Sequence, residues 1–189
     1  GEGGLSPWHL EGKCDLVFQI GTAKYGVRDA HGNLSDDKLL QVASHANVRM
    51  FEIKLSQGAK PGKGGILPAE KVTEEIAAIR GIPVGKASVS PNRHPEIRCA
   101  ADLLAMIERV RQVTGKPTGI KTVLGSPDWL DELFSEIQIK GVESAPDFIT
   151  LDSADGGTGA APMSLIDDVG MPLRESLPIL VDKLVEYGL

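Results

Sequence analysis

Apolar, β-prone segments alternate along this chain with segments of helical periodicity, and this alternation constrains the fold more than any other feature. We expect strands over 14–20, 49–55, 118–124 and 147–152. We expect helices over 35–46, 68–81, 100–115, 127–141 and 173–188. A strand–helix–strand series of this kind builds a parallel sheet with right-handed crossovers. The sequence therefore predicts an α/β fold with helices outside a parallel sheet.

Capping residues suggest where several helices begin and end. Ser35 is suited to be an N-cap, and acidic residues follow it in the first turn. Pro68 and Gly81 are suited to the first and last positions of the next helix. Pro178 interrupts the periodic pattern of the last helix, so we expect its first turns to form a separate short piece. A further short strand is expected over 85–90.

Residues suited to ligand binding follow the predicted strand ends. The stretch "KLSQGAKPGKGGILP" (54–68) contains three lysines and four glycines, and "DGGTGA" (155–160) and Gly125 also follow strands. Glycine allows close backbone approach to a ligand, and lysine attracts an anion. The alternative for 54–68 is a solvated surface loop. Ligands of parallel α/β folds bind at the carboxyl ends of strands, which favours the ligand-binding interpretation.

Two polar residues lie inside predicted strands and need partners. Gln19 is surrounded by large apolar residues, and Lys121 lies in "GIKTVLG". An unpaired buried ammonium is costly. Lys121 therefore either forms a structural ion pair with a core carboxylate such as Glu52, or faces an anionic cofactor or enolate at the mouth of a barrel.

Four other residues carry weaker signals. Asp152 and Asp155 flank the end of a strand, where aspartate commonly serves in turns and caps. Arg80 ends a helix, where a cation complements the helix dipole. His94 lies between two prolines, without other metal-ligand residues at suitable spacing. No metal site is predicted from these residues.

Charge and cysteine usage exclude several classes of function. The net charge of −6 disfavours a general nucleic-acid or anionic-membrane surface. Cys14 and Cys99 lack C-x-x-C spacing, so neither a zinc site nor a disulfide framework is predicted, and a reducing cytosol fits. No apolar run approaches the roughly 20 residues of a membrane span. We therefore expect a cytoplasmic protein.

Six segments, in order along nearly the whole chain, resemble the FMN-binding synthase domain of glutamate synthase. They are "GEGG" (1–4), "QIGTAKYGV" (19–27), "EIKLSQGAKPGKGGILPAEKV" (52–72), "SVSPNRHPEI" (88–97), "GIKTVL" (119–124) and "DSADGGTGAAP" (152–162). The resemblance is close to the short bacterial and archaeal glutamate synthase-like proteins. It implies a (β/α)8 TIM barrel in which reduced FMN delivers a hydride to 2-iminoglutarate, formed from 2-oxoglutarate and ammonia. An oxidoreductase of glutamate biosynthesis and nitrogen assimilation is therefore expected.

The resemblance also implies substrate-binding and catalytic residues. Gln57 and Lys60 of the QGAKPG motif, with Arg80 of the following helix, match residues that contact the carboxylates of 2-oxoglutarate. Cationic and amide side chains beside close-approach glycines suit a dicarboxylate. Glu2 matches the acid of the GEGG motif near the substrate.

The implied flavin contacts come from other segments. Lys121 matches the lysine beside the flavin, where a cation would stabilise the negative charge of the reduced ring. Gln19, Asp155, Gly156 and Gly157 match further positions of the flavin pocket.

The sequence departs from the family at several points. Lys63 stands where full glutamate synthases usually carry an acid. We expect one partial FMN-barrel domain over 1–189, a central segment without the first strand and the last two strands of the barrel. The cysteines of the family's iron-sulfur cluster and its glutaminase domain are absent from this sequence. The last two strands hold the FMN phosphate, so the isolated chain is expected to lack tightly bound FMN and activity, and its open sheet edges to need covering.

Two alternatives to glutamate synthase activity stay open. One is a non-catalytic barrel remnant that acts as a binding module. The other is an FMN oxidoreductase that acts on a different 2-oxo acid or imine. The sequence leaves open the electron donor and the ammonia source, and it allows an electron-donor subunit and a homo-oligomer as partners.

Overall fold

A computed structural model describes residues 2–56, 60, 64–155, 161–166 and 168–189. Within these ranges the helices are α1 (Pro7–Glu11), α2 (Asp36–Ala43), α3 (Glu74–Arg80), α4 (Ala100–Thr114), α5 (Asp128–Lys140), α6 (Met163–Ile166) and α7 (Leu173–Tyr187). The strands are β1 (Leu16–Ile20), β2 (Val48–Lys54), β3 (Ile66–Leu67), β4 (Ser88–Val89), β5 (Thr118–Val123) and β6 (Ile149–Asp152). Short 3₁₀ helices cover Ala69–Lys71 and Val142–Ser144.

The main sheet contains four parallel strands in the order β1–β2–β5–β6. This confirms the prediction that the four long strands are parallel and adjacent. The remaining strands, β3 and β4, form a small antiparallel pair within the β2-to-β5 crossover. Parallel strands added in chain order are the arrangement of a (β/α)8 barrel. Within the described part of the chain the sheet does not close, so the fold is a partial TIM barrel.

The two faces of the sheet differ in chemistry because successive side chains of a strand point to opposite sides. The strand register places one set of residues on a common face, here called the inner face: Val17, Gln19, Met50, Glu52, Lys54, Gly119, Lys121, Thr150 and Asp152. On this face Val17 is 45% exposed and Met50 is 38% exposed. The inner face is therefore polar and partly open.

The opposite face of the sheet forms the core with the helices. Strand residues such as Phe18, Ile20, Phe51, Ile53 and Ile120 are buried there against Leu39, Leu104, Ile107, Leu133, Phe134 and Leu180 of α2, α4, α5 and α7. Each such large apolar side chain contributes about 1.5–3 kcal/mol when it leaves water. No helix within the described ranges is long and apolar enough to cross a membrane.

The helix predicted over 68–81 is wrong in its first half. Ala69–Lys71 form a 3₁₀ turn, and Val72 then leaves the helical region with φ −87° and ψ 83°. The α-helix starts only after Thr73, whose side chain accepts a hydrogen bond from the Ile76 amide. A second N-cap inside the segment therefore restarts the helix. Its end is as predicted, because Gly81 adopts the left-handed conformation with φ 71°.

The prediction of a separate piece before Pro178 is also wrong, because α7 runs without a break through that residue. A proline inside a helix removes one hydrogen bond, here the bond to the carbonyl of Arg174, near the start of the helix. Burial of Ser176 and Leu180 on either side of Pro178 holds the turn in place. Packing against the core therefore outweighs the local preference of proline.

Candidate functional site

A cleft lies beyond the carboxyl ends of β1 and β2. The residues that line it include Glu2, Gly21, Tyr25, Lys54, Lys60 and Ser90. The loops after β1 and β2 form two of its walls, and the segment after β4 forms a third. This is the edge of the sheet at which parallel α/β folds bind ligands.

An ion pair between Lys54 and Glu2 lies on the wall of this cleft. The Lys54 side chain is 14% exposed, whereas Glu2 is 46% exposed. The cleft thus contains a largely buried cation that is neutralised by a more accessible acid.

Lys121 lies directly beside Lys54, because the two residues are register partners on β5 and β2. Its ammonium is 3.5 Å from a carboxylate oxygen of Asp152. The ion-pair interpretation of Lys121 is therefore correct in kind, but the suggested partner Glu52 is wrong. The register places Asp152 at the carboxyl end of the neighbouring strand, where it reaches Lys121. Along this edge the adjacent cations Lys54 and Lys121 are flanked by the acids Glu2 and Asp152.

Glu52 instead bonds to two neutral side chains of the inner face. Gln19 Nε2 donates to Glu52 Oε1 at 2.5 Å, and Thr150 Oγ1 donates to Glu52 Oε2 at 2.5 Å. The residue is 7% exposed. Gly119, the register partner of Glu52 on β5, has no side chain, so Thr150 can reach Glu52 across that strand. Gln19 thus has the partner that the sequence required.

Tyr25 links the walls of the cleft. Its hydroxyl hydrogen-bonds to Ser88 and lies 3.3 Å from the Ser90 hydroxyl. The guanidinium of Arg80 lies over the ring, 4.8 Å from its centroid, in cation–π geometry. Thr22 adds a hydrogen bond of 2.7 Å to the Pro91 carbonyl. Arg80 therefore contacts the cleft wall through the ring of Tyr25.

A buried histidine anchors the same wall to the end of β2. His94 is 2% exposed, and its Nε2 lies 3.0 Å from the carbonyl oxygen of Lys54. Burial lowers the pKa of His94 below the usual value of 6.5. The neutral ring therefore donates its Nε2 proton to that carbonyl. Lys24, 3% exposed, forms an ion pair of 3.0 Å with Glu96 in the same segment.

Asp155 lies at the start of the last helix, where the Leu173 amide donates a hydrogen bond of 3.0 Å to Ser153 Oγ. Its Oδ2 accepts a hydrogen bond of 2.5 Å from Ser153 Oγ and lies 3.3 Å from the amide nitrogen of Leu173, the first residue of α7. The turn-and-cap interpretation of Asp155 fits these contacts. Asp152 likewise has a turn contact, because its Oδ1 accepts a hydrogen bond of 3.1 Å from the Ser153 amide. It also forms the ion pair with Lys121.

The structure brings some of the predicted residues together. Glu2 and Lys60 line one cleft. Gln19 and Lys121 lie on the adjoining inner face. Positions 57, 63, 156 and 157 lie outside the described residues, so Gln57, Lys63, Gly156 and Gly157 have no structural account. Which of these residues bind ligand stays a prediction.

Sequence reasoning missed Lys54, Tyr25, Thr150 and the role of Glu52. The signal for Lys54 was present, because it follows Glu52 by two positions and therefore shares its face of the strand. The pairing of Glu52 with Gln19 and Thr150 depends on register between strands distant in sequence, which no local pattern shows.

Comparison with known proteins agrees with this geometry. A family profile described as the conserved region in glutamate synthase matches residues 1–189. The chain is 45% identical over 189 residues to the glutamate synthase large subunit-like protein YerD of Bacillus subtilis, covering 100% of this chain and 35% of that protein. It is 35% identical over 191 residues to the archaeal-type glutamate synthase (NADPH) of Thermotoga maritima, covering 100% of this chain and 34% of that protein.

A more distant relative is named for a different electron donor. The chain is 31% identical over 199 residues to the chloroplastic ferredoxin-dependent glutamate synthase 2 of Arabidopsis thaliana, covering 100% of this chain and 12% of that protein. The chain thus spans about a third of the length of its more similar relatives, at 34–35%.

Proposed function

The chain belongs to the glutamate synthase family, and from this premise we propose that the protein containing it is an FMN-dependent oxidoreductase. It reduces 2-iminoglutarate, formed from 2-oxoglutarate and ammonia, to L-glutamate. The observation that carries the proposal is the cluster of lysines at the carboxyl edge of the parallel sheet. Lys54 and Lys121 are register partners there, and Lys60 lines the same cleft as Lys54.

The inner face is chemically suited to the ring system of FMN. Gln19 and Lys121, toward the carboxyl ends of β1 and β5, offer polar groups for the edge of the ring. A few placed polar groups of this kind fix the orientation of a bound cofactor. When bound, FMN supplies the hydride. Gln19, Lys121 and Asp155 would hold the ring.

Lys121 contributes a positive charge that Asp152 balances at 3.5 Å. The side chain of Lys121 is 24% exposed and that of Asp152 is 31% exposed. A ligand can therefore still interact with the positive charge of Lys121. A cation at this position favours a ligand state that carries more negative charge. Lys121 would therefore stabilise negative charge on a bound flavin.

Lys54 and Lys60 provide cations for a dicarboxylate in the cleft. Lys54 forms an ion pair with Glu2, and a substrate carboxylate can replace Glu2 as its partner. Arg80 keeps Tyr25 in place by stacking on its ring, and in this way supports the cleft wall. Substrate binding therefore replaces the carboxylate of Glu2 with a substrate carboxylate beside the ammonium of Lys54.

Glu2 has a second role in this proposal, as the proton donor to the substrate. Reduction of an imine adds a hydride to carbon and a proton to nitrogen, so the cleft needs a proton donor. Glu2 is the carboxyl group beside Lys54 at the accessible side of the cleft, where it can take up a proton from solvent. Once a substrate carboxylate binds Lys54, Glu2 is free to deliver that proton to the nitrogen.

The experiment uses the full-length protein with its flavin reduced chemically under anaerobic conditions. Addition of 2-oxoglutarate with ammonium should reoxidise the flavin and form L-glutamate, as followed by visible absorbance and amino-acid analysis. Lys60→Met should raise the KM for 2-oxoglutarate by roughly 10- to 100-fold, since a hydrogen bond to a charged group contributes about 1.5–3 kcal/mol. Lys140→Met, on the outer helix α5, is the matched control.

The alternatives give different results in the same experiment. A full-length protein that binds 2-oxoglutarate without any flavin would be a binding module. Flavin reoxidation by another 2-oxo acid or imine, but not by 2-oxoglutarate with ammonium, would mean a different oxidoreductase. NADPH and reduced ferredoxin should both be offered as natural donors, because the relatives are named for each of them.

A further inference from the structure

Glu52 is a buried acid on the inner face that the proposed reaction does not use. It is 7% exposed, lies midway along β2, and uses both carboxylate oxygens as acceptors for Gln19 and Thr150. Both contacts measure 2.5 Å. A buried acid is costly unless it is hydrogen-bonded, and these two contacts give each carboxylate oxygen of Glu52 a donor.

The contact determines which way the Gln19 amide faces. An ionised carboxylate can only accept hydrogen bonds, so Gln19 must direct its NH₂ group toward Glu52. The carbonyl oxygen Oε1 of the same planar group then faces away from Glu52. Without this neighbour a glutamine side chain could turn either end outward, because its two ends have almost the same shape.

Thr150 is subject to the same constraint. Its hydroxyl proton is committed to Glu52 Oε2, so only its lone pairs can face another group. Gln19 on β1 and Thr150 on β6 could each donate or accept a hydrogen bond. Because both donate to Glu52, they present only acceptor atoms to other groups. The neighbouring Lys121 can only donate. The inner face therefore combines these acceptors with the cationic donors Lys54 and Lys121.

We propose that Glu52 is a positioning residue that holds the Gln19 amide with Oε1 toward the bound ring, where it accepts an N–H of the flavin's pyrimidine portion. This inference rests on the proposed function. The pyrimidine portion of a flavin carries an N–H group between two carbonyl groups. An acceptor at Gln19 together with a donor at Lys121 complements such an edge, and a glutamine turned the other way would not.

The test compares FMN binding by four forms of the full-length protein: wild type, Glu52→Gln, Gln19→Met and the double variant. FMN is removed, and its dissociation constant is measured by quenching of flavin fluorescence. The reduction potential of the reconstituted protein is measured as well. Thermal unfolding of each apoprotein shows whether the variant folds. Glu52→Gln keeps the size of the side chain but no longer dictates the orientation of Gln19.

We expect Glu52→Gln and Gln19→Met each to weaken FMN binding by about 3- to 10-fold, the loss of one hydrogen bond. We expect the double variant to be no weaker than Gln19→Met alone, because Glu52 acts through Gln19. The reduction potential should shift in the same direction in all three variants. Glu108→Gln is the matched control, since Glu108 accepts from Gln112 Nε2 at 2.7 Å on the exposed surface of α4.

Two results would overturn the inference while leaving the proposed function intact. One is unchanged FMN affinity and potential in Glu52→Gln. The other is an equal loss from Glu52→Gln in the wild-type and Gln19→Met backgrounds, which would mean that Glu52 acts on the fold and not through Gln19. A wild-type protein that binds no FMN would instead overturn the proposed function itself.

Discussion

Gly119 is the residue of the sheet at which a single methyl group should do most harm. A Cβ atom at this position would lie 2.5 Å from two ring carbons of Phe148 and 2.5 Å from its carbonyl oxygen, whereas ordinary contacts are 3.4–4 Å. The ring could turn, but the carbonyl cannot move freely because it accepts the Ile120 amide at 3.0 Å. Gly119→Ala must therefore push β6 away from β5 by about 1 Å or deform the strand.

The free-energy cost of Gly119→Ala depends on which atoms the new methyl group displaces. Overpacking in a well-packed region typically costs about 1–3 kcal/mol, and involvement of a backbone carbonyl puts this case at about 2–3 kcal/mol. A loss of that size raises the rate of amide exchange through local opening by roughly 30- to 150-fold, since each 1.4 kcal/mol is tenfold. Hydrogen exchange with mass spectrometry on peptides covering 118–123 and 149–152 in the full-length protein should measure it.

Gly65→Ala is the matched control. No atom lies within 4 Å of the Cβ position there, so exchange in β5 and β6 should stay within about 0.5 kcal/mol of wild type. Gly119→Ala with exchange equal to that of this control would refute the close approach of Phe148 to β5. It would also refute the explanation of how Thr150 reaches Glu52 across that strand.

Three further predictions concern single side chains. The pKa of His94 is lowered in the folded protein, so the unfolded state takes up a proton first as the pH falls. The free energy of unfolding is therefore highest above pH 6.5 and decreases below it. Urea titrations of His94→Gln should show a flatter dependence of this free energy on pH between pH 7 and 5. Tyr25→Phe leaves the Ser88 hydroxyl without its buried partner and should cost about 1–2 kcal/mol in urea unfolding, whereas a loss below 0.5 kcal/mol would contradict the hydrogen bond. Lys121→Met should lower the reduction potential of bound FMN, and Asp152→Asn should raise it; equal potentials in both variants would argue against a charge effect of Lys121.

Local sequence patterns determined the framework of this protein. The four long strands and their parallel pairing agree with the alternation of apolar and amphipathic segments. Ser35 caps α2, and Gly81 and Gly115 end α3 and α4 in the left-handed conformation. These features depend on neighbouring residues alone, because capping, turn geometry and side-chain periodicity act over one or two turns of chain.

Tertiary packing overruled local preference at Pro178. This proline lies inside a continuous α7, and Ser176 and Leu180 on either side of it are buried. A proline inside a helix costs about 3 kcal/mol, which burial of a few side chains can exceed. The segment before Thr73 departs from the prediction for a local reason, because Thr73 is a second N-cap that restarts the helix.

The partners within the site were decided by the tertiary structure alone. Period-two alternation shows that Glu52 and Lys54 share a face, but not which residues stand beside them. The register between β1, β2, β5 and β6 places Gln19 and Thr150 beside Glu52, and Asp152 beside Lys121. A shift of one residue along any strand would turn these side chains to the other face. Register is set by burial of the whole apolar face and the length of the crossovers, so it is a property of the folded sheet and not of any one segment.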